Sequence, residues 1–271
     1  MKAHRIGRLT AACAGLVAIL GAVLLYVAGE HVVAARELPA APAAAQESQA
    51  AAEYAHDPAA LADAFRHVEV ASASDAIEQL LGKRMYLSHR MAPLFPCKFA
   101  GFAITVRLEK KENHDPHALD GMLAAIDNGS KGSVYVMSIE DGRDIAGMGG
   151  LMGTAMQARD FAGAVIDGAV RDTAYLRKIE FPVFAAGITP ATSVDHYVFA
   201  GSNIPVVIDG VTVNAGDIVT ADNDGVVVVP RASAVKVLLL AQQMDFKEHS
   251  MYAWIERAKS IEEAVKQFGR L

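Results

Sequence analysis

The chain has 271 residues, 52% of them hydrophobic, with 25 Lys and Arg against 31 Asp and Glu for a formal charge of −6. That balance excludes a disordered tail, a polybasic nucleic-acid binder and a protein that crosses a membrane many times. The first 50 residues carry Lys2, Arg5, Arg8 and Arg36 against Glu30, Glu37 and Glu47, which leaves −7 for the remainder. A mildly acidic body of about 220 residues is one domain's worth and can bury a sizeable core.

Lys2, Arg5 and Arg8 precede an uncharged run over residues 9–29. Basic residues followed by about 20 apolar ones form an export signal or a retained helix long enough to span a bilayer. Residues 1–30 are therefore read as a signal peptide or membrane anchor. Positive charge stays on the cytoplasmic side, so the remainder is expected to be periplasmic, secreted or tethered. Val33-Ala34-Ala35 and Ala43-Ala44-Ala45 offer two cleavage points. Residues 31–57 read as an Ala/Pro-rich flexible linker and residues 58–271 as the domain. Cys13 lies in the apolar run and Cys97 is alone in the body, so the domain has no disulfide to form. Cys97 reads as a small half-buried residue, because no His and acid stand beside it to activate a thiol.

Within the body, Leu61, Phe65 and Val68, then Ala76, Ile77, Leu80 and Leu81, recur at helical spacing and predict two short helices over 58–82, with Ser74 placed to cap the second. Runs rich in Val, Ile, Phe and Tyr predict strands at 99–108, 133–139, 163–166, 182–185, 197–199, 205–208, 211–213, 218–220 and 226–229. Helical patterns at 117–128 and 150–160 alternate with the first of these, which points to an α/β domain. Asp209-Gly210 and Asp224-Gly225 mark tight hairpins. A long helix is expected over 232–258, and Ser260 with Glu263 forms a capping box for a last one. Val-Ile-Asp-Gly occurs at 165–168 and again at 207–210; the flanks do not repeat, so the match reads as shared turn chemistry.

Arg-Asp occurs at 143–144, 159–160 and 171–172, and only context separates the three. The third follows a strand and precedes a helical stretch over 173–178, the position where ligands lie in α/β folds. A guanidinium there can hold a carboxylate by two parallel hydrogen bonds, and the adjacent acid can hold a hard divalent cation with water filling the other positions. A surface ion pair is the plainer reading of the same residues. Upstream, Gly147-Met148-Gly149-Gly150-Leu151-Met152-Gly153 leads into a helix, so its bare backbone can meet a ligand at a positively polarised helix start or simply pack closely. Met152 breaks a Gly-x-Gly-x-x-Gly fingerprint and no P-loop Lys follows. His114-Asp115-Pro116-His117 reads as a solvated turn, and His196 after Asp195 has no nucleophilic Ser to serve.

Together these residues resemble the family of regulator of ribonuclease activity A, which includes the 4-hydroxy-4-methyl-2-oxoglutarate aldolases and is often misnamed as a methyltransferase. The likeness runs over about 65–230 and is densest in Gly163-Ala-Val-Ile-Asp-Gly-Ala-Val-Arg-Asp172, Phe181-Pro-Val-Phe-Ala-Ala-Gly187, Gly216-Asp217 and Ala221-Asp-Asn-Asp-Gly-Val226. The resemblance implies a layered β/β/α swivelling-type domain, assembled as a homotrimer or hexamer with sites between subunits. It implies a lyase that cleaves 4-hydroxy-2-oxo acids or decarboxylates oxaloacetate, using magnesium or manganese. Carried over, Arg171 would bind the substrate carboxylate, Asp172 the metal, and the backbone of Gly149, Gly150, Leu151 and Met152 the pyruvyl end. Gly150 and Tyr175 stand where aldolases of the family carry acids, which leaves a binding or regulatory protein as the alternative. The expected partner is a small keto acid, not nucleic acid, with membrane contact only through the N-terminal segment.

Overall fold

The computed structural model describes residues 43–269, so the expected signal or anchor at 1–30 lies outside the described residues. No helix among the described residues is long and apolar enough to cross a membrane.

In chain order the elements are α1 (Ala43–His56), α2 (Pro58–Arg66), α3 (Val70–Leu81), β1 (Ala92–Pro93), β2 (Phe99–Lys110), α4 (Asp120–Asp127), β3 (Ser133–Ile139), β4 (Ala146–Met148), α5 (Gly150–Ala158), β5 (Gly163–Val170), α6 (Thr173–Lys178) and β6 (Val183–Ile188). Then follow β7 (Tyr197–Ser202), β8 (Val206–Ile208), β9 (Val211–Val213), β10 (Ile218–Asp222), β11 (Gly225–Val229), α7 (Ala234–Ala258) and α8 (Ile261–Phe268). Strands β2, β3, β5 and β6 lie side by side and parallel. Antiparallel β10 and β11 extend the sheet beyond β2, short β1 covers β6, and β7 pairs the far end of β2. Strand β4 pairs the last residues of β5, and β8 with β9 forms a separate hairpin.

The parallel strands are buried on both faces, which is why they read as nearly unbroken apolar runs rather than alternations. Tyr135, Met137, Ala164, Ile166 and Val183 enter one core with α4, α5 and α6. Their neighbours Val134, Val136, Val165 and Phe184 enter a second with the β8–β9 hairpin. A third core joins α2, α3 and α7 to β10 and β11. Helices α5 and α6 both begin at the carboxyl end of the parallel strands, where β4 and β5 end side by side.

Several expectations change. Residues 43–56, within the stretch read as linker, form α1. Tyr54 of α1 packs on the third core, and Glu47 lies 3.2 Å from Lys236. Ser74 sits inside α3 and caps nothing: the first turn is held instead by Asp222, whose Oδ2 accepts from Val70 N at 3.1 Å, and by Asp245, which accepts from Glu69 N and Ser72 Oγ. Local sequence could not show this, because the capping acids arrive from β10 and α7.

The two Val-Ile-Asp-Gly segments also part company. Asp209 (φ 50°) and Gly210 (φ 81°) make the expected hairpin turn. Asp167 and Gly168 do not turn; β5 runs through them with a shift of register against β6 between Ile166 and Ala169. The two aspartates nevertheless meet on one cation. Arg90 Nη2 donates to Asp167 Oδ1 at 2.7 Å and to Asp209 Oδ1 at 2.6 Å, and Ser88 Oγ donates to Asp209 at 2.9 Å. Burial leaves the Asp167 carboxyl above its ordinary range despite Arg90. At Asp209 burial acts the same way, but hydrogen bonds from Arg90 and Ser88 outweigh it and the carboxyl ends below that range.

Candidate active site

The site is built at the exits of β4 and β5. Arg171 N donates to Met148 O at 3.0 Å, which ties the two exits together. Asp172 then adopts φ 56° and ψ 32°, a left-handed conformation that Asp tolerates better than most residues. This reversal starts α6, and Tyr175 N and Leu176 N donate back to Asp172 O at 2.9 and 3.0 Å. It also aims the carboxylate at the start of α5, where Asp172 Oδ2 accepts from Gly150 N at 2.9 Å. The N-cap of α5 is Gly149, which has no side chain to satisfy that donor. Asp172 therefore caps α5 from the neighbouring loop, a favourable place for negative charge.

Arg171 Nε stands 3.9 Å from the same Asp172 oxygen, and the two side chains are 44% and 51% exposed. The guanidinium and carboxylate thus stand side by side. The glycine run divides by role. A Cβ on Gly147 would fall 2.3 Å from Ile139 Cδ1 and one on Gly153 2.3 Å from Leu176 Cδ2, so both are there for packing. A Cβ on Gly149 would fall 2.6 Å from Asp172 Oδ2 and 3.0 Å from Arg171 Cγ. Its backbone is ordinary extended chain (φ −147°), so the demand for glycine here is steric and comes from the acid–base pair.

Beside Asp172 lies a cavity of about 650 Å³, lined by Gly150, Leu151, Thr154, Asp172, Tyr175 and the start of α6; of the residues carried over from the sequence, Gly150, Leu151 and Asp172 line it, whereas Gly149, Met152 and Arg171 do not. That is room for a small organic ligand. As first-turn amides of α5, Leu151 and Met152 N–H have no carbonyl within the helix to bond. The Leu151 side chain is 89% exposed, whereas that of Met152 turns into the core. Asp172 Oδ2 is taken by Gly150, and no hydrogen bond among the described residues engages Oδ1. One carboxylate oxygen suits a hard divalent cation that keeps most of its water. No cluster of three or more His, Cys, Asp or Glu able to hold a metal occurs among the described residues.

Sequence reasoning gave no role to Thr154 or to the Tyr175 side chain as cavity wall. Thr154 Oγ1 donates to Gly150 O at 2.8 Å and lies 3.5 Å from the Tyr175 hydroxyl. The spacing of 150 and 154, one turn of α5, was the available signal. Gly150 and Tyr175 are also spatial neighbours, since a Cβ at 150 would stand 3.1 Å from Tyr175 Cδ1.

The other candidates lie elsewhere. Asp115 Oδ1 accepts from His117 N at 2.9 Å in the expected turn, and His117 pairs with Asp120, whose hydrogen bond raises the imidazole pKa. His196 faces Glu112 at 2.9 Å. Asp160 pairs with Lys131 at 3.1 Å. Burial, with some help from Asp222, pushes the Cys97 thiol up to about 11, so it is no nucleophile at neutral pH.

Fold and site define an α/β domain with an acid–base corner and a glycine-bared helix start at its strand ends. The chain belongs to the RraA-like (Aldolase/RraA) family, whose model matches residues 70–228. It is 29% identical over 180 residues to a Halalkalibacterium halodurans protein provisionally named 4-hydroxy-4-methyl-2-oxoglutarate aldolase, covering 66% of this chain and 80% of that one. It is 29% identical over 171 residues to protein DlpA of Legionella pneumophila, covering 63% of this chain but 28% of DlpA. Among solved structures, an uncharacterized protein from Pseudomonas syringae pv. tomato superposes with a TM-score of 0.70 at 29% identity, covering 77% of this chain and 93% of that one. RraAS2 of Streptomyces coelicolor shares the fold, with a TM-score of 0.62 at 24% identity over 72% of this chain and 96% of its own.

Proposed function

We propose that the chain is a divalent-metal-dependent lyase that releases pyruvate from 4-hydroxy-2-oxo acids, of the 4-hydroxy-4-methyl-2-oxoglutarate aldolase type, or from oxaloacetate by decarboxylation. The observation that carries this reading is the corner itself, with Asp172 fixed on Gly150 N at 2.9 Å and the Arg171 guanidinium beside it. Arg171 binds the substrate carboxylate by charge-assisted hydrogen bonds. The Leu151 and Met152 amides, at the positive end of α5, face the pyruvyl end of the ligand together with the bared backbone of Gly149 and Gly150. Asp172 Oδ1 would hold magnesium or manganese, which when bound draws electron density from the keto oxygen and stabilises the enolate left by carbon–carbon cleavage.

The protein is proposed to act outside the cytoplasm, on the strength of the 9–29 run. Assembly as a homotrimer or hexamer follows from the family likeness. Incubation with magnesium and either substrate should release pyruvate well above the metal-only background. Arg171→Ala should remove most of that release, and an unchanged rate in this variant would refute the assignment. One observation favours a second reading, a keto-acid-binding protein without turnover: among the described residues, Asp172 is the only acidic side chain lining the cavity. Calorimetric binding of a keto acid with no pyruvate release would decide for it.

A further inference from the structure

Resting on the reading of the Arg171–Asp172 corner as the active site, we infer that Arg90 is a positioning residue for it: through Asp167 it fixes the register of β5, and so the place where Asp172 meets α5. Asp167 and Gly168 are where β5 changes neighbours. Up to Asp167 the strand pairs β3, and from Ala169 it pairs β4, which leads into Gly149 and Gly150. On its other edge Ile166 faces Ala185 and Ala169 faces Gly187 of β6, so two residues of β5 stand against one. Such a bulge re-aims the chain that follows it. Arg171 and Asp172 come next, after two residue pairs with β4 and two with β6.

Both faces of β5 are apolar, so a slip of one residue would exchange one buried apolar side chain for another, and the hydrophobic pattern alone specifies register poorly. Asp167 supplies the missing discrimination. It is the one charged residue of β5 and the one residue of that strand that is not buried, yet its side chain is only 17% exposed. A carboxylate so enclosed is costly without a cation, and Asp167 has one where it faces Arg90 Nη2 at 2.7 Å. A slip of one residue would turn it to the opposite face, toward the core of Met137 and Ile139, and move the chain by about 3.3 Å. The 2.9 Å hydrogen bond from Gly150 N to Asp172 could not survive that shift.

Arg90 can set this position because it is itself held. Its Nε and Nη2 reach Asp209 Oδ1 at 3.2 and 2.6 Å, and Asp209 accepts from Ser88 N and Oγ at 3.2 and 2.9 Å. Two residues beyond Arg90, Ala92 of β1 pairs with Ala185, the residue that faces Ile166 at the last regular pair before the bulge. The guanidinium is thus anchored both to the β8–β9 turn and to the sheet at the level where register is decided.

The test reads the Gly150 amide proton of the full chain by nuclear magnetic resonance. A hydrogen bond to a carboxylate holds that proton downfield, and Asp172→Ala gives its position when the bond is lost. Two variants break the clamp. Arg90→Lys keeps the charge but loses the planar fork, and the pair Arg90→Met with Asp167→Leu leaves no unpaired charge on β5. In both, the Gly150 proton should move toward its Asp172→Ala position, and kcat/KM for pyruvate release should fall about tenfold. A clamp that only stabilises the fold would lower Tm and leave the folded-state resonance in place. An unmoved proton in Arg90→Lys, or a moved proton with unchanged kcat/KM in an active enzyme, overturns the inference. Should the pair fail to fold, Arg90→Lys decides alone. If the wild type neither releases pyruvate nor binds a keto acid, the reading of the corner as an active site fails, and the Gly150 proton still decides whether Arg90 sets the place of Asp172.

Discussion

Replacing Gly149 with alanine isolates the geometry of the corner from its chemistry. The new methyl carbon would sit 2.6 Å from Asp172 Oδ2, 3.0 Å from Arg171 Cγ and 3.3 Å from Arg171 Nε. Ordinary carbon–oxygen contact needs roughly 3.3 Å or more, so the carboxylate must retreat by about 0.7 Å. It is pinned by the 2.9 Å hydrogen bond from Gly150 N, which such a retreat would stretch beyond useful length. With the group half exposed, losing that bond costs about 1 kcal/mol of stability, a fall in Tm of roughly 2–4 °C. The effect on function is larger, because displacing a binding group by about 1 Å costs on the order of 100-fold in rate. Gly150→Ala is the control: its methyl would meet Tyr175 Cδ1 at 3.1 Å and Asp172 Cβ at 3.4 Å, contacts that a small ring movement relieves. We expect pyruvate release, or keto-acid affinity by calorimetry, to fall about 100-fold in Gly149→Ala and less than about tenfold in Gly150→Ala. A Gly149→Ala protein within twofold of wild type on both measurements would refute the assignment of this corner as the site.

Arg90→Ala leaves Asp167 and Asp209 facing each other without their shared cation. Since Arg90 is 39% exposed, solvent screening discounts the loss to about 2 kcal/mol, read as a drop in Tm of roughly 4–8 °C at pH 7. The lowered Asp209 pKa contributes stability that is present above the ordinary carboxylate range and is lost as pH falls through the depressed value. Burial raises the Asp167 pKa, but Arg90 acts to lower it as it does at Asp209, so protonating either carboxyl removes its pairing with Arg90 and the gap between variant and wild type should narrow on acidification; a gap constant from pH 7 to pH 3 would contradict the clamp. Cys97, held up at about 11, should alkylate with iodoacetamide far more slowly than a free thiol at pH 8 and accelerate in alkali; rapid labelling of the native protein at pH 8 would show the thiol to be open.

Much of this protein was legible before any coordinates. Strands β3 and β9 and helix α6 fall where the residue pattern puts them, because β-branched runs and a helical stretch between turn signals are local properties of the chain. Ser260 caps α8 as expected, its Oγ accepting from Glu263 N at 3.2 Å, since that cap closes within one turn. The pairing of Arg171 with Asp172 was also local. What the sequence could not determine are contacts whose partners are remote along the chain. The trans caps of α3 by Asp222 and Asp245 belong here, as do the meeting of Asp167 and Asp209 on Arg90 and the two-residue strand β1. Nor could it sort the glycines at 147, 149 and 153. A missing side chain leaves no pattern of its own, and its purpose is set by the atoms that tertiary packing brings to within 3 Å of where a Cβ would stand.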